Sequence, residues 1–432
     1  MKRRTTVKKH RARKWRSSED VRPGLVQQRI VPIVSVIAAL KDGLRELVVS
    51  SGMQVLEALL EDDREKLCGP KKKQQFEREA YRYGHDHGQL VMGGRKVSVE
   101  KPRVRGVAGG EVRLPTWEAF RQSDPLDERV VEQMLCGVST RKYERSLEPL
   151  DRERRAIGVK KSSVSRRFIS ATSQKVSNFL NRPLGELDLP VIMIDGLYVG
   201  EQMVLGVLGI DVNGNKHVLG LCDGPSESDR VCRGLFRGLI ERGLVVERAR
   251  LFVIDGSAGL QKAIRATFGP WALIQRCQIH KLRNVLEHLP EKKREWVRAK
   301  MQKAWEASSA DKAKSLLEGL ARTLGDHPSA AASVREGLDE TLTVLKLAIT
   351  GSLYRLLRTT NPIENLQGTI RRVTRNVRRW RSGSMAVRWV ATALLEAESR
   401  FRRIKGVSDL PRFLRALDRT VGTESRDVQK IA

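Results

Sequence analysis

Residues 190–289 constrain the fold more than any other stretch, because their apolar residues change period in a fixed order. Three short runs, PVIMID (190–195), QMVLGVLGI (202–210) and KHVLGL (216–221), are almost continuously apolar. Runs of this length bounded by turn residues read as buried strands. The links between them are short, and one contains Asn213-Gly214-Asn215. Short Asn-Gly links join antiparallel neighbours. The spacing then lengthens. ESDRVCRGLFRGLIERGL predicts a helix with Val231, Leu235, Leu239 and Ile240 on its apolar face, and RLFVID (250–255) predicts a fourth strand. GLQKAIRATF predicts a second helix, and WALIQRC (271–277) a fifth strand leading into the helical IHKLRNVLEHL. Strands alternating with helices are parallel and buried on both faces, hence their unbroken apolar runs.

Three strands followed by helix, strand, helix, strand, helix is the element order of the ribonuclease H-like fold. This α/β domain is expected in two parts, residues 186–281 and 351–405. Between them, at 282–350, EKKREWVRAKMQKAWEA, DKAKSLLEGLARTL and SVREGLDETLTVLKL read as an all-helical insertion. Residues 406–432 are expected to be a C-terminal tail.

Upstream, residues 1–16 hold nine Lys or Arg, and 1–20 is expected to be a disordered arm that orders on a phosphate backbone or simply solubilises the chain. Residues 21–120 read as a helical region with a β-hairpin. Val34, Ile37, Leu40, Leu44, Leu47, Leu56, Leu59 and Leu60 recur at helical spacing until Gly69-Pro70. From Leu90 to Val112 the period falls to two, with Gly93-Gly94 and Gly109-Gly110 as turns. His85-Asp86-His87 reads as loop polarity rather than a metal site. Residues 121–185 are predicted helical, with Leu126, Val130, Met134 and Leu135 on a stripe closed by Gly137. The helix after Ile157 has Ser162 or Ser163 as its expected cap and Val164, Phe168 and Ile169 facing inward. Lys160, Lys161, Ser163, Arg166 and Arg167 then remain outside. A short helix, a Gly turn and a basic Ser/Arg helix suit a helix-turn-helix whose second helix enters the major groove of DNA. A plain helical hairpin is the alternative.

The chain carries 81 Lys+Arg against 51 Asp+Glu, a net charge of +30 over 432 residues. Such an excess on a folded chain points to a polyanionic partner. No run approaches the roughly 18 apolar residues of a membrane helix, so no membrane partner is expected. Cys68, Cys136, Cys222, Cys232 and Cys277 are odd in number and scattered, without a disulfide framework. The basic start MKRR is followed by no apolar core, and a cytoplasmic location is expected. No P-loop is present, so no nucleotide cofactor is expected.

The chemistry lies in three acids. Ile194-Asp195-Gly196 and Ile254-Asp255-Gly256 each place a carboxylate at the carboxyl end of a buried strand, where α/β sheets collect ligands. Glu364 follows Asn361-Pro362-Ile363 at the start of a helix. Taken singly, an Asp-Gly is ordinarily a turn and a first-turn Glu ordinarily complements the helix dipole. Their occurrence on the first strand, the fourth strand and the last helix of one ordered fold is far more specific. Three converging carboxylates repel unless cations neutralise them, and Mg²⁺, held by a few carboxylates and shared with phosphate oxygens, is the natural partner. Cys277-x-x-His280 lacks the four ligands of a zinc site, since no second Cys/His pair has suitable spacing. Arg371, Arg372, Arg375, Arg378, Arg379 and Arg381 follow Glu364 on what reads as a basic helix tracking phosphates or simply a solvated face. Trp296, Trp305, Trp380 and Trp389 read as core packing, with stacking on unpaired bases as the alternative.

The stretches IDGLYVGEQ from Ile194, VLGIDVNGNKHVLGL from Val207, Glu227-Ser228, ERGL from Glu241, DGSAGLQKAI from Asp255, QRCQIHKLRN from Gln275 and TTNPIEN from Thr359 resemble the Mutator-type transposases of bacterial insertion sequences. These belong to the Asp-Asp-Glu transposase superfamily. The resemblance covers roughly residues 185–405 and is looser upstream. Pro362 differs from the small residue expected at that place. The resemblance implies that Asp195, Asp255 and Glu364 hold two Mg²⁺ ions, replaceable by Mn²⁺, and carry catalysis. Cys277, His280 and Asn361 are implied to support them, and a helical insertion before Glu364 is implied as well. It further implies cleavage at the inverted repeats ending a DNA element and transfer of the freed 3′-hydroxyl to target DNA, by a homodimer or larger assembly. A nuclease of the same fold without strand transfer, or a non-catalytic DNA-binding derivative, are the alternatives.

Overall fold

The computed structural model describes residues 33–71, 73, 78–122, 125–150, 156–224 and 227–431, and the expected arm at 1–20 lies outside them. Helix α1 (Ile33–Cys68) ends where Gly69 takes φ 75° and its N–H returns to Glu65 O at 2.8 Å, a left-handed end that glycine adopts without a Cβ penalty. Met53, Leu56 and Leu60 are buried while Leu47 and Leu59 are exposed, so the expected stripe is only partly used. The helix packs on a hairpin of β1 (Ala80–Met92) and β2 (Arg95–Gly106), which turns at Gly93-Gly94. The short strands β3 (Glu111–Val112) and β4 (Ala156–Ile157) both pair with β2.

The hairpin begins at Ala80 rather than Leu90. His85-Asp86-His87 therefore stands inside β1 and not in a loop. Most of β1 from Tyr81 to Gly88 faces solvent, so polar residues occupy both parities and the two-residue period is hidden.

Helices α2 (Pro115–Gln122) and α3 (Pro125–Leu135) follow, then α4 (Lys161–Leu180). α3 and α4 pack together through Leu126, Val130, Val164 and Phe168, but residues 136–160, including β4, separate them. A helix-turn-helix joins its helices by roughly 3–4 residues, so the connection corrects that expectation. Two smaller expectations also fail. Lys160, not a serine, occupies the N-cap of α4, and Ile169 is exposed.

The second sheet contains β5 (Val191–Val199), β6 (Gln202–Ile210), β7 (Lys216–Asp223), β8 (Arg250–Ile254) and β9 (Ala272–Arg276), in the order β7-β6-β5-β8-β9. β5–β6 and β6–β7 are antiparallel, whereas β5–β8 and β8–β9 are parallel, as the link lengths predict. Alternate side chains leave opposite faces of a strand, and each face of β5 feeds a different core. Ile192 and Ile194 pack toward α5 (Asp229–Glu241) and α6 (Ala258–Phe268), where Phe236, Phe252 and Phe268 cluster. Val191, Met193, Leu197 and Val199 join the larger core on the other face.

α7 (Gln278–Glu287) leads into the helical segment α8 (Glu291–Trp305), α9 (Ala310–Thr323), α10 (Pro328–Arg335), α11 (Thr343–Lys346) and α12 (Gly351–Leu357). This segment is keyed to β9 rather than tethered loosely. The Gln275 side chain donates to Thr341 O (3.0 Å) and accepts from Val344 N (2.9 Å), and Thr343 Oγ1 donates to Ile274 O (2.6 Å).

The chain returns to the sheet with α13 (Asn361–Thr374), α14 (Gly383–Glu398) and α15 (Leu410–Ile431). α13 ends at Thr374, so Arg375, Arg378 and Arg379 lie beyond the helix expected to carry them, and only Arg371 and Arg372 are on it. The expected tail at 406–432 is instead mostly helix α15 over its described residues. Leu410, Phe413, Leu417 and Val421 are buried at helical spacing in α15. The fold is mixed α/β, with two sheets among the described residues.

Candidate active site

β5 pairs with β8 only as far as Met193↔Val253. Beyond that pair β8 ends at Ile254 and Asp255 follows it, whereas β5 stays paired with β6 as far as Val199, so Asp195 lies mid-strand and not at the carboxyl end expected of it. Asp195 Oδ1 accepts the Gly196 N–H at 2.9 Å, and Asp255 Oδ1 accepts the Ser257 N–H at 2.9 Å. Ser257 also caps α6, accepting from Leu260 N, so Asp255 is fixed where a strand becomes a helix. The next parallel strand is tied to the same rim, as Cys277 N donates to Ile254 O at 2.7 Å. Cys277 N-caps α7, which places His280 in its first turn.

Glu364 arrives from the other side. Pro362 starts α13 without needing a hydrogen-bond donor, and Ile363 and Leu366 are buried, turning Glu364 toward the sheet edge. Thr360, fully buried just before the helix, is the common partner. Its Oγ1 donates to Glu364 Oε1 at 3.0 Å and lies 3.5 Å from both Cys277 Sγ and His280 Nδ1. The same hydroxyl also acts to lower the Asp195 pKa. The Thr360 N–H points to Cys277 Sγ at 3.4 Å, and His280 Nε2 stands 3.6 Å from Glu364 Oε1.

The electrostatics follow from burial among like charges. Burial, with a further push from Asp255, raises the Asp195 carboxyl to about 6, although nearby His280 and two hydrogen bonds oppose the rise. His280 is raised to about 9, first by its hydrogen bond to Cys277, against burial, and then by the charges of Cys277, Asp195 and Glu364. It is therefore a cation at neutral pH beside two acids. Burial pushes the Cys277 thiol up, but hydrogen bonds from His280 and Thr360 outweigh it and leave the thiol below its ordinary value. Cys277, His280 and Glu364 each offer a donor atom within 4.8 Å of the others, a set one ligand short of a structural zinc centre.

A fourth acid joins that the sequence reading left without a role. Glu227, just before α5, hydrogen-bonds Asp255 and Ser257, and burial and the Asp255 charge hold its carboxyl well above the usual range. Gly259 makes this approach possible, since a Cβ there would lie 2.3 Å from Glu227 O. The available signal was its position after the third strand of a fold whose first and fourth strands also end in acids.

Other expected residues stay apart. Asn361 is exposed, and its backbone N–H donates to Thr359 Oγ1 (3.4 Å). Lys160, Lys161 and Arg166 are exposed on α4, Ser163 is half-buried, and Arg167 pairs with Asp127 at 2.8 Å. Arg371, Arg372, Arg378 and Arg379 are exposed, whereas Arg375 reaches back to Cys136 O (3.3 Å). Trp305 and Trp389 are buried, Trp380 is half-buried and Trp296 is exposed.

Comparison with known proteins decides the family. The profile described as "Transposase, Mutator family" matches residues 29–403. The chain belongs to the Mutator family of transposases. It is 26% identical over 377 residues to the transposase for insertion sequence element IS256 in transposon Tn4001 of Staphylococcus aureus, covering 83% of this chain and 91% of that one. It is 30% identical over 369 residues to the transposase for element ISRM5 of Rhizobium meliloti, covering 82% and 87%. A second Rhizobium meliloti relative, for ISRM3, is 25% identical over 380 residues, covering 84% and 89%. As a member of this family the chain is a DNA-acting enzyme, and no helix among its described residues is long and apolar enough to cross a membrane.

Proposed function

We propose that the chain binds the terminal inverted repeats of its own insertion sequence and performs metal-assisted DNA cleavage and strand transfer on a ribonuclease H-like sheet. The observation that carries this reading is the convergence of Asp195, Glu364 and Asp255 at one sheet edge, the first two sharing Thr360. Their chemistry fits divalent cations. Asp195 is a buried carboxyl raised to about 6 among other acids, a state that hard, oxygen-preferring cations relieve. Asp195, Asp255 and Glu364 would hold two Mg²⁺ ions, with Mn²⁺ able to replace them. When bound, such ions stabilise the attacking and leaving oxygens of an in-line phosphoryl displacement.

The protein's part is to place these groups. The middle of β5 and the end of β8 hold Asp195 and Asp255 on adjacent parallel strands, and Thr360 aims Glu364. His280, supported by Cys277, offsets the negative charge and can steady a carboxylate or a DNA phosphate. In the first step a water oxygen attacks the phosphorus at the element's end and the 3′-oxygen departs as a 3′-hydroxyl. In the second, that hydroxyl attacks a target phosphodiester and the target's own 3′-oxygen leaves, so bonds formed and broken balance without a covalent protein intermediate. Exposed Lys160, Lys161, Arg166, Arg371, Arg372, Arg378 and Arg379 supply phosphate contacts, and joining two ends in one event calls for a dimer or larger assembly.

The test is Asp195→Asn, Asp255→Asn and Glu364→Gln. Each should abolish Mg²⁺-dependent cleavage of terminal-repeat duplex while leaving DNA binding largely intact, because affinity comes mainly from Lys and Arg. Substantial cleavage by any purified variant removes that acid from the site. Products cut but never joined to target would favour a nuclease.

A further inference from the structure

We propose that Tyr198 is a stacking platform for a nucleobase beside the scissile phosphate, and that Gln367 holds it there. This rests on the active-site reading above and adds to it a contact made to the base rather than to phosphate or metal.

Every residue of β5 is buried or half-buried except Tyr198, whose accessibility is 56%. A single exposed tyrosine is ordinary; its setting is not. Beyond Met193 the β8-facing edge of β5 has no strand partner. At Tyr198 the Gln367 side chain takes that place, accepting from Tyr198 N at 3.0 Å and donating to Tyr198 O at 2.5 Å. Gln367 lies one helical turn after Glu364, so a single amide ties the strand bearing Asp195 to the helix bearing Glu364. It also immobilises the backbone beneath an exposed ring.

The ring leans back over Gly196, the chain neighbour of Asp195. A Cβ on Gly196 would stand 3.3 Å from Tyr198 Cε2 and 3.4 Å from its hydroxyl. The phenol is raised above its ordinary value by burial and then by the charges of Glu227, Asp195 and Asp255. No hydrogen bond to the Tyr198 hydroxyl is made among the described residues. Two residues on, Gly200 (φ 60°) meets the Trp380 indole, with a Cβ position 2.6 Å from Cδ1. Exposed Arg378, Arg379 and Arg381 flank that indole in sequence. The rim thus combines acids, an unpartnered aromatic face and a basic segment. In the reading above the scissile phosphate is held at the metal-loaded acids, so the exposed ring beside them is placed to meet the base of an adjoining nucleotide. Aromatic rings stack on base faces without demanding a particular base.

The experiment uses the full chain and terminal-repeat duplexes with a single abasic site at each nucleotide flanking the cleaved phosphate. On intact duplex, Tyr198→Phe should cleave within about twofold of the parent and Tyr198→Ala about tenfold or more slower, the range of one lost base–aromatic stack. On the duplex lacking the stacked base, the parent should slow to the Tyr198→Ala rate and Tyr198→Ala should lose nothing further. Gln367→Met, which removes both backbone bonds, should show the same dependence in weaker form. Parental rates for Tyr198→Ala, equal losses for Phe and Ala, or a Tyr198→Ala defect that persists on every abasic duplex would each overturn the platform. Parental rates for Gln367→Met would remove the clamp. Asp195→Asn run alongside separates the two readings. Cleavage by Asp195→Asn undoes the active site itself, whereas an inert Asp195→Asn with a fully active Tyr198→Ala undoes only the platform.

Discussion

Thr360→Val removes one oxygen from the point where Asp195, Glu364, Cys277 and His280 meet. The residue is fully buried, and its hydroxyl donates to Glu364 Oε1 at 3.0 Å. A hydrogen bond to a charged acceptor contributes about 1.5–3 kcal/mol. Here the Glu364 side chain is 32% accessible, so water replaces part of the lost donor and the expected cost falls to about 1–1.5 kcal/mol. The valine methyl fills the hydroxyl's volume, and the backbone N–H to Cys277 Sγ at 3.4 Å is untouched, so no cavity adds to the cost. The functional effect should be larger than the structural one. Asp195 loses the neighbouring hydroxyl that lowers its pKa, and Glu364 loses the donor that aims it. Both changes would weaken the divalent-cation site proposed above, whose ligands must be ionised and oriented. Urea unfolding measures the first effect, and the Mg²⁺ concentration giving half-maximal cleavage measures the second, with an increase of several-fold expected. Unchanged stability together with an unchanged Mg²⁺ requirement would refute the role assigned to Thr360.

Gly256→Ala should destabilise the chain by about 3 kcal/mol or more and abolish cleavage. At φ 109° its new Cβ would stand 2.1 Å from Arg276 Nε, and Arg276 is buried and held by Glu336 Oε2 at 3.0 Å; a urea-derived loss under 1 kcal/mol would contradict this packing. Lys281 gives a pH dependence. It is buried, bonded to Glu336 O and facing Arg276, Glu336 and Glu340, and burial lowers its pKa from 10.5 to about 8. Between those values the unfolded chain holds a proton that the folded chain has released, so this contribution to stability rises with pH across the window. The stability of the parent relative to Lys281→Met should therefore increase by about 1–3 kcal/mol between pH 7 and 10.5, and a flat or falling difference would refute it.

Elements whose burial is uniform were legible in the sequence. β5, β6, β8 and β9 are covered on both faces, so their apolar runs carry the signal without any tertiary information, and the lengths of their links dictate which pairs are antiparallel. The same reading set Asp255 just past its strand, but it ended the first strand too early: β5 continues through buried Leu197 and Val199, so Asp195 is mid-strand. Elements at solvent boundaries were not legible. The outer half of β1 shows no period because most of it is exposed, and α15 reads as a tail in sequence because its buried Leu410, Phe413, Leu417 and Val421 are diluted by charge. The break after Thr374 was hidden because arginines suit a helix and an irregular segment equally.

Sequence alone thus determined the order of these strands and helices and which of them carry the three acids, because these follow from local period and chain connectivity. Only the tertiary structure decided what surrounds those acids. Thr360 meets Cys277 from 83 positions away, and Gln367 grips Tyr198 across 169. Glu227 reaches Asp255 because Gly259 leaves room for its carbonyl. The expected helix-turn-helix dissolved because α3 and α4, though packed together, are separated along the chain by residues 136–160, in which β4 pairs with β2. Such contacts depend on distance in space between residues far apart in sequence, and hydropathy and spacing along the chain hold no record of it.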